Sequence, residues 1–217
     1  MKTQSLKILV SDSIGEVTAE LIQPDNMKSI YVFAHGAGAG MSHPFMTTLS
    51  KELATHDIGT LRFNFPFTEQ KKKRPDFPPV AHKTIEAAIS QAKKLFPRVA
   101  LFAGGKSFGG RMTSQYLSQE HDPAIKGIVF VGFPLHPPGK PTVERAEHLK
   151  RLKTPMLFLQ GTRDELAKWE LIEQVTASLP SATLSKIDHA DHSFKAGKQN
   201  TLPTLALIIK EWTLQQI

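Results

Sequence analysis

Near the middle of the chain, one serine stands where a nucleophile would have to stand. Gly105-Lys106-Ser107-Phe108-Gly109 has the spacing G-x-S-x-G, preceded by the apolar run Val99 to Ala103 and followed by the helix-like run Met112 to Leu117. A strand that turns at once into a helix leaves no room for side chains two residues either side of the apex. Both flanks must then be glycine, while the apex residue projects alone. Ser107 is that apex, exposed above the carboxyl end of a strand, close to a helix N-terminus and within reach of a base. A glycine-rich loop whose serine caps a helix is the plainer alternative, and the strand before and the helix after weigh against it.

Serine is a poor nucleophile until a neighbouring imidazole takes its proton. The imidazole in turn needs a carboxylate to fix its tautomer and to stabilise it once charged. Both partners follow at the ends of apolar strands. Asp164 and Glu165 lie in the turn after Met156 to Gln160, and His189 and His192 lie between Asp188 and Phe194, after the strand Thr183 to Ile187. The order is serine, acid, histidine, and on spacing alone either acid and either histidine could serve. Reading His189, Asp191 and His192 as a metal cluster lacks the His-Glu-x-x-His helical arrangement and any cysteine partner. No metal and no other cofactor is expected.

A second glycine-rich stretch, His35-Gly36-Ala37-Gly38-Ala39-Gly40, follows the apolar run Ile30 to Ala34. It lacks the Lys-Ser/Thr ending of a P-loop, and its glycine spacing does not fit G-x-G-x-x-G. An oxyanion loop fits better: the N–H of Ala37 would pair with that of Phe108 to hold the negative charge developing on a substrate carbonyl oxygen. His35 reads as a structural hydrogen-bonder rather than a base. Lys106, Arg111 and His136 are the candidate substrate contacts. Lys106 is either solvated beside the site or in contact with an anionic substrate group. Arg111 is a cation in a first helical turn, which opposes the helix dipole and calls for a carboxylate of substrate or protein; Arg163 is a weaker candidate for that role. His136 belongs to the loop Phe133 to Lys140, whose three prolines and one glycine stiffen a wall at the same strand end as Ser107.

The elements that must position these residues alternate. Leu6 to Val10 and Thr18 to Ile22 read as an antiparallel pair. Ile30 to Ala34, Ile58 to Phe65, Val99 to Ala103, Gly127 to Gly132, Met156 to Gln160 and Thr183 to Ile187 read as strands, mostly buried on both faces as parallel strands are. Between them, helical spacing runs from Ser42 through Phe45, Met46, Leu49 and Leu53, and again from Ile85 to Leu95. Further helices are expected at Glu144 to Leu152, Trp169 to Leu179 and Leu202 to Leu214. The result is an α/β chain with a mostly parallel sheet and helices on both faces. There is no room between strands for a lid domain, so the site is expected to be shallow and open.

At 217 residues the chain is expected to form a single domain, residues 1–217, with a large core. No apolar run is long enough to span a membrane, and the N-terminus lacks the apolar stretch of a signal peptide. With no cysteine in the chain, disulfides and a thiol nucleophile are excluded, and the cytoplasm is the default compartment. The net charge of +7 and pI of about 9.6 raise the question of nucleic acid. The only dense basic cluster, Lys71 to Arg74, lies among prolines, with no recognition helix or zinc finger, which argues against a nucleic-acid partner and for a small acyl substrate, anionic ones included.

These motifs together resemble the α/β-hydrolase superfamily, in particular its small, lidless, dienelactone-hydrolase-like members, over nearly the whole chain. Within that group five stretches are similar to the branch named after KANL and testis-expressed proteins: Arg62 to Pro66, Gly105 to Arg111, Gly132 to Lys140, Gly161 to Asp164, and Asp191 to Phe194. The resemblance implies a three-layer αβα sandwich on a sheet of about eight strands, the second antiparallel. It also selects Ser107, Asp164 and His192 as a hydrolytic triad, because Asp164 stands where the superfamily has its acid and His192 lies in an Asp-His-Ser-Phe context. The expected activity is that of a serine hydrolase on a small ester. Some relatives in that branch act as scaffolds, so a non-catalytic interaction module is the alternative.

Overall fold

A computed structural model describes all 217 residues. Its centre is an eight-stranded sheet in the order β1-β2-β4-β3-β5-β6-β7-β8. The strands are β1 (Lys2–Ser11), β2 (Gly15–Gln23), β3 (Ser29–Ala34), β4 (Ile58–Phe63), β5 (Ala100–Lys106), β6 (Ile125–Val131), β7 (Met156–Gly161) and β8 (Ala182–Ile187). β2 is antiparallel to both its neighbours, and every pair from β4 to β8 is parallel. This is the α/β-hydrolase architecture expected from the sequence, with the second strand reversed.

Period-two alternation divides each central strand between two cores. Ile30, Val32 and Ala34 of β3 join the larger cluster, whereas Tyr31 and Phe33 face the smaller one. Helices α1 (Pro44–Ala54) and α6 (Leu202–Leu214) close the smaller core with Met46, Leu49, Leu53, Leu205, Ile209 and Trp212. Helices α3 (Pro78–Leu95), α4 (Phe108–Leu117) and α5 (Trp169–Ala177) close the larger one on the opposite face, through residues such as Ile85, Ile89, Met112 and Ile172. Helices on both faces of a mostly parallel sheet force every functional loop to one edge, the carboxyl ends of the strands.

The elements differ from the sequence expectation mainly at their ends. The hairpin is longer, because the polar residues Thr3, Gln4 and Ser5 still pair with β2 from Lys2↔Gln23 onward; an edge strand does not need an apolar face along its whole length. The second amphipathic helix begins at Pro78 rather than near Ile85. Proline, which has no N–H, is well suited to a first turn where that group has no acceptor, so the prolines open α3 instead of prolonging the loop. A short helix α2 (Pro66–Glu69) also interrupts the segment expected to be loop. Glu144–Arg151 is a 3₁₀ helix.

Candidate active site

The strand β5 runs on through Gly104 and Gly105 to Lys106, three residues beyond its expected end, and delivers Ser107 directly into α4. Ser107 has φ of +49° and ψ of −115°, a conformation that a serine adopts only at a cost on the order of 1–3 kcal/mol. The turn is crossed closely by the end of β3: a Cβ at Gly105 or at Gly109 would collide with the Ala34 carbonyl. That approach explains why both flanks are glycine.

β5 and β8 are separated in the sheet by β6 and β7, yet their loops meet. The Oγ of Ser107 lies 2.8 Å from Nε2 of His192, and His192 Nδ1 lies 2.7 Å from Oδ2 of Asp164. Because a carboxylate can only accept, Nδ1 carries the proton; Nε2 then accepts from the serine hydroxyl. Asp164 is buried and accepts from two further groups. Gln160 Nε2 donates to Oδ2 at 2.6 Å and the Leu166 N–H donates to Oδ1 at 2.8 Å. The Gln160 carbonyl oxygen accepts from the Phe133 N–H at 2.9 Å, which fixes the amide orientation. Glu165 and His189, the alternatives left by the spacing, are exposed, and the structure does not bring them to Ser107.

The loop after β3 approaches Ser107 from the other side. The Ala37 N–H is donated to no backbone carbonyl, and Phe108 is the first residue of α4, where the helix offers its N–H no acceptor. The loop rests on Arg62 to Phe67, a stretch not expected from the sequence to take part in the site. Asn64 Oδ1 accepts from the Met41 N–H at 2.9 Å, Arg62 donates to the Met41 carbonyl, and Arg62 also pairs with Glu20. Asn64 Nδ2 in turn donates to Glu69 at 3.0 Å. Arg62 could have flagged the role: a charged residue within an otherwise apolar central strand must find partners.

His35 is fully buried, with Nε2 accepting from the Phe65 N–H at 3.1 Å and Nδ1 donating to the Gly36 carbonyl at 2.8 Å. Burial lowers its pKa to about 4, against a smaller opposite effect of the Gly36 bond. It is a neutral hydrogen-bonder at the start of the loop, edge-on to the rings of Phe65 and Phe67, which also pack against Phe108.

The three candidate substrate contacts separate. Lys106 lines the cleft over Ser107, but its Nζ donates to the His192 carbonyl oxygen at 2.7 Å. Burial brings its pKa down to about 8, with Asp164 and Asp191 acting the other way. His136 is buried with both ring nitrogens occupied: Nε2 accepts from the Lys168 N–H and Nδ1 donates to the Pro137 carbonyl, each at 2.9 Å. It holds the β6 and β7 loops together and faces a neighbouring groove with Arg163, not the cleft at Ser107. Arg111 forms no ion pair with any carboxylate of the chain. Burial lowers its pKa, and the second cause is another cation, Arg145; the expected protein carboxylate is not there.

The cleft itself has a volume of about 350 Å³. Ala37, Phe45, Met46 and Leu166 supply apolar lining, Ser107 and His192 lie in it, and no carboxylate residue lines it. No three His, Asp or Glu side chains are grouped so as to share a metal ion, and no helix is long and apolar enough to cross a membrane.

Comparison with known proteins agrees with this architecture. The sequence profile of the family described as alpha/beta hydrolase domain matches residues 27–213. Among solved structures, the dienelactone hydrolase of Anabaena variabilis superposes with a TM-score of 0.77 at 18% identity, covering 99% of each chain. A Xanthomonas campestris protein described as an α/β serine hydrolase without lid gives 0.78 at 15% identity, covering 100% of this chain and 96% of that one. The esterase domain of a Rhodothermus marinus protein gives 0.75 at 16% identity, over 99% of each chain. With that profile covering most of its length, the chain belongs to the alpha/beta hydrolase domain family.

Proposed function

We propose that the chain is a serine hydrolase that cleaves a small carboxylic ester or a related acyl compound. The observation that carries this reading is the unbroken relay from Ser107 Oγ through His192 to Asp164, at the edge of a cleft sized for a small molecule. Ser107 attacks the substrate carbonyl carbon while its proton passes to His192 Nε2. The carbonyl electron pair becomes an oxyanion, held by the N–H groups of Ala37 and Phe108. Collapse of that intermediate breaks the ester C–O bond, and the departing alkoxide takes the proton from His192. Water, deprotonated by the same imidazole, then releases the acid and restores Ser107. Asp164 stays ionised throughout and stabilises the imidazolium. Loss of one oxyanion donor in such a site costs roughly 3 kcal/mol of transition-state stabilisation.

The substrate proposed is short and apolar in its acyl part, in keeping with Ala37, Phe45, Met46 and Leu166 around the cleft. With Lys106 and His43 beside it and no acidic residue, an anionic substituent would be tolerated. The motifs Arg62 to Pro66, Gly132 to Lys140 and Asp191 to Phe194 support placing the chain in the branch named after KANL and testis-expressed proteins. The test is hydrolysis of p-nitrophenyl esters from acetyl to octanoyl by wild type and Ser107→Ala. Turnover that peaks at short chains and vanishes in the variant is expected; a folded wild type that turns over no ester would move the reading to a binding module.

A further inference from the structure

The Ser107 and His192 side chains must meet within a few tenths of an ångström, although their strands are not neighbours. Three inter-strand spacings, roughly 14 Å in all, separate β5 from β8, and the loop after β8 runs from Asp188 to Thr201 with no helix or strand of its own. Its backbone is anchored elsewhere. The Thr162 N–H donates to the Ile187 carbonyl, the Arg163 N–H to the Ala190 carbonyl, and the His189 N–H to Thr162 Oγ1, all at the β7 turn. Asp191 Oδ1 accepts from Ser193 and Lys195, and Thr201 Oγ1 donates to the Phe194 carbonyl, all within the loop and the helix entry. One contact runs from the His192 backbone to the strand that carries the nucleophile, and it is made by the residue just before Ser107.

We infer that Lys106 is a positioning residue that clamps the His192 backbone to the nucleophile strand, a role that rests on the hydrolase reading for its catalytic consequence. Its Nζ donates to the His192 carbonyl at 2.7 Å and sits 5.5 Å from the centre of the Phe194 ring, so cation–π attraction adds to a charge-assisted hydrogen bond. Phe194 in turn stacks on Phe45 of α1, with centroids 5.8 Å apart. Gly132 at the end of β6 borders this contact. Its φ is +73°, and a Cβ there would stand 3.3 Å from Lys106 Nζ, 3.4 Å from Phe194 Cε2 and 3.6 Å from His192 Cε1. Lys106 itself is fixed at its base, because it is paired with Val131 in the ladder of β5 with β6. The clamp therefore transmits the position of one rigid strand to the loop that holds the base.

The test compares wild type, Lys106→Met, which keeps the stem and loses the donor, and Lys106→Arg, which keeps charge and donors. Hydrogen exchange of the 188–197 backbone reads the clamp without any reference to activity. The rate of Ser107 modification by a fluorophosphonate, with kcat and KM for p-nitrophenyl acetate, reads its catalytic effect. Lys106→Met is expected to speed exchange in the loop and to lower kcat and the labelling rate by up to about 10²-fold at unchanged KM, the effect of a misplacement of about 1 Å; Lys106→Arg should recover most of both. A reactive wild type whose loop exchange and kcat are indifferent to Lys106→Met, or whose KM alone rises, overturns the clamp in favour of a spectator or a substrate contact. A wild type that is unreactive while Lys106→Met still loosens the loop upholds the clamp and overturns the hydrolase reading.

Discussion

Gln160 Nε2 stands 2.6 Å from Asp164 Oδ2, and the same amide accepts the Phe133 N–H through its oxygen. The last residues of β7 thus hold the acid that follows them and fasten it to the end of β6. Gln160→Ala removes both bonds and leaves the Phe133 N–H buried without a partner. A loss of about 1–3 kcal/mol in unfolding free energy is expected, together with a fall in kcat at constant KM. Urea denaturation alongside steady-state kinetics checks both; a variant as stable and active as wild type contradicts the assignment.

Asp164→Asn keeps the shape and removes the charge. An amide nitrogen cannot accept, so either His192 Nδ1 or the Leu166 N–H loses its acceptor, and in either orientation the imidazolium loses the negative charge that stabilises it. A drop of about 10³–10⁴ in kcat is expected, and Glu165→Gln, at an exposed position, should be near neutral. Reversal of that ranking would transfer the acid's role to Glu165.

Asn64 links the loop that carries Ala37 to α2, through the Met41 N–H on one side and Glu69 on the other. Asn64→Ala should leave Ser107 chemically intact while blurring the Ala37 donor. Slower acyl transfer, by about 10-fold as a part of what a lost oxyanion donor costs, is expected, with fluorophosphonate labelling of Ser107 still detectable. Kinetics on p-nitrophenyl acetate and labelling time courses separate the two effects.

Two histidines, the buried His35 and the half-buried His148, make stability depend on pH. His35 and His148 have folded pKa values of about 4, His35 through burial and His148 through burial and then the charges of Arg111 and Arg151. In the unfolded chain an imidazole titrates near 6.5. Above that value neither state binds the proton and stability is complete; as pH falls from about 6.5 toward about 4 the unfolded state alone is protonated, and each ring removes about 1.4 kcal/mol per pH unit. The melting temperature should therefore fall steeply across that window, and His148→Gln should flatten the slope. A melting curve that is level from pH 7 to pH 4 contradicts the burial argument.

The sequence carried the architecture because the apolar runs of β3 to β7 are nearly continuous and the helices between them keep one apolar face. Ser107 stood out because a strand-to-helix turn this tight needs glycine on both sides; spacing left two acids and two histidines open, and the family resemblance selected Asp164 and His192, the pair that the structure groups with Ser107. The supporting residues were not. Gln160 is one more residue of an apolar strand until its partner at Asp164 is known, and Asn64 has no sequence feature that points to Met41. Lys106 is the sharpest case: a lysine beside a serine suggests an anionic substrate, whereas its ammonium reaches the His192 carbonyl, 86 residues away in sequence. His136 was misjudged for a related reason, since a histidine in a loop at the right strand end gives no hint that two backbone groups occupy its nitrogens. The start of α3 was obscured because prolines both stiffen loops and open helices.

The proposed hydrolase stands or falls on Ser107 as a nucleophile activated by His192. Intact wild type, Ser107→Ala and His192→Ala should each be incubated with a fluorophosphonate probe, and the adduct located by mass spectrometry of the digested protein. Rapid, single-site modification at Ser107 is expected in wild type, none in Ser107→Ala, and a rate lower by at least about 10³-fold in His192→Ala. Folded wild-type protein that stays unmodified, or modification that persists unchanged without His192, would contradict it.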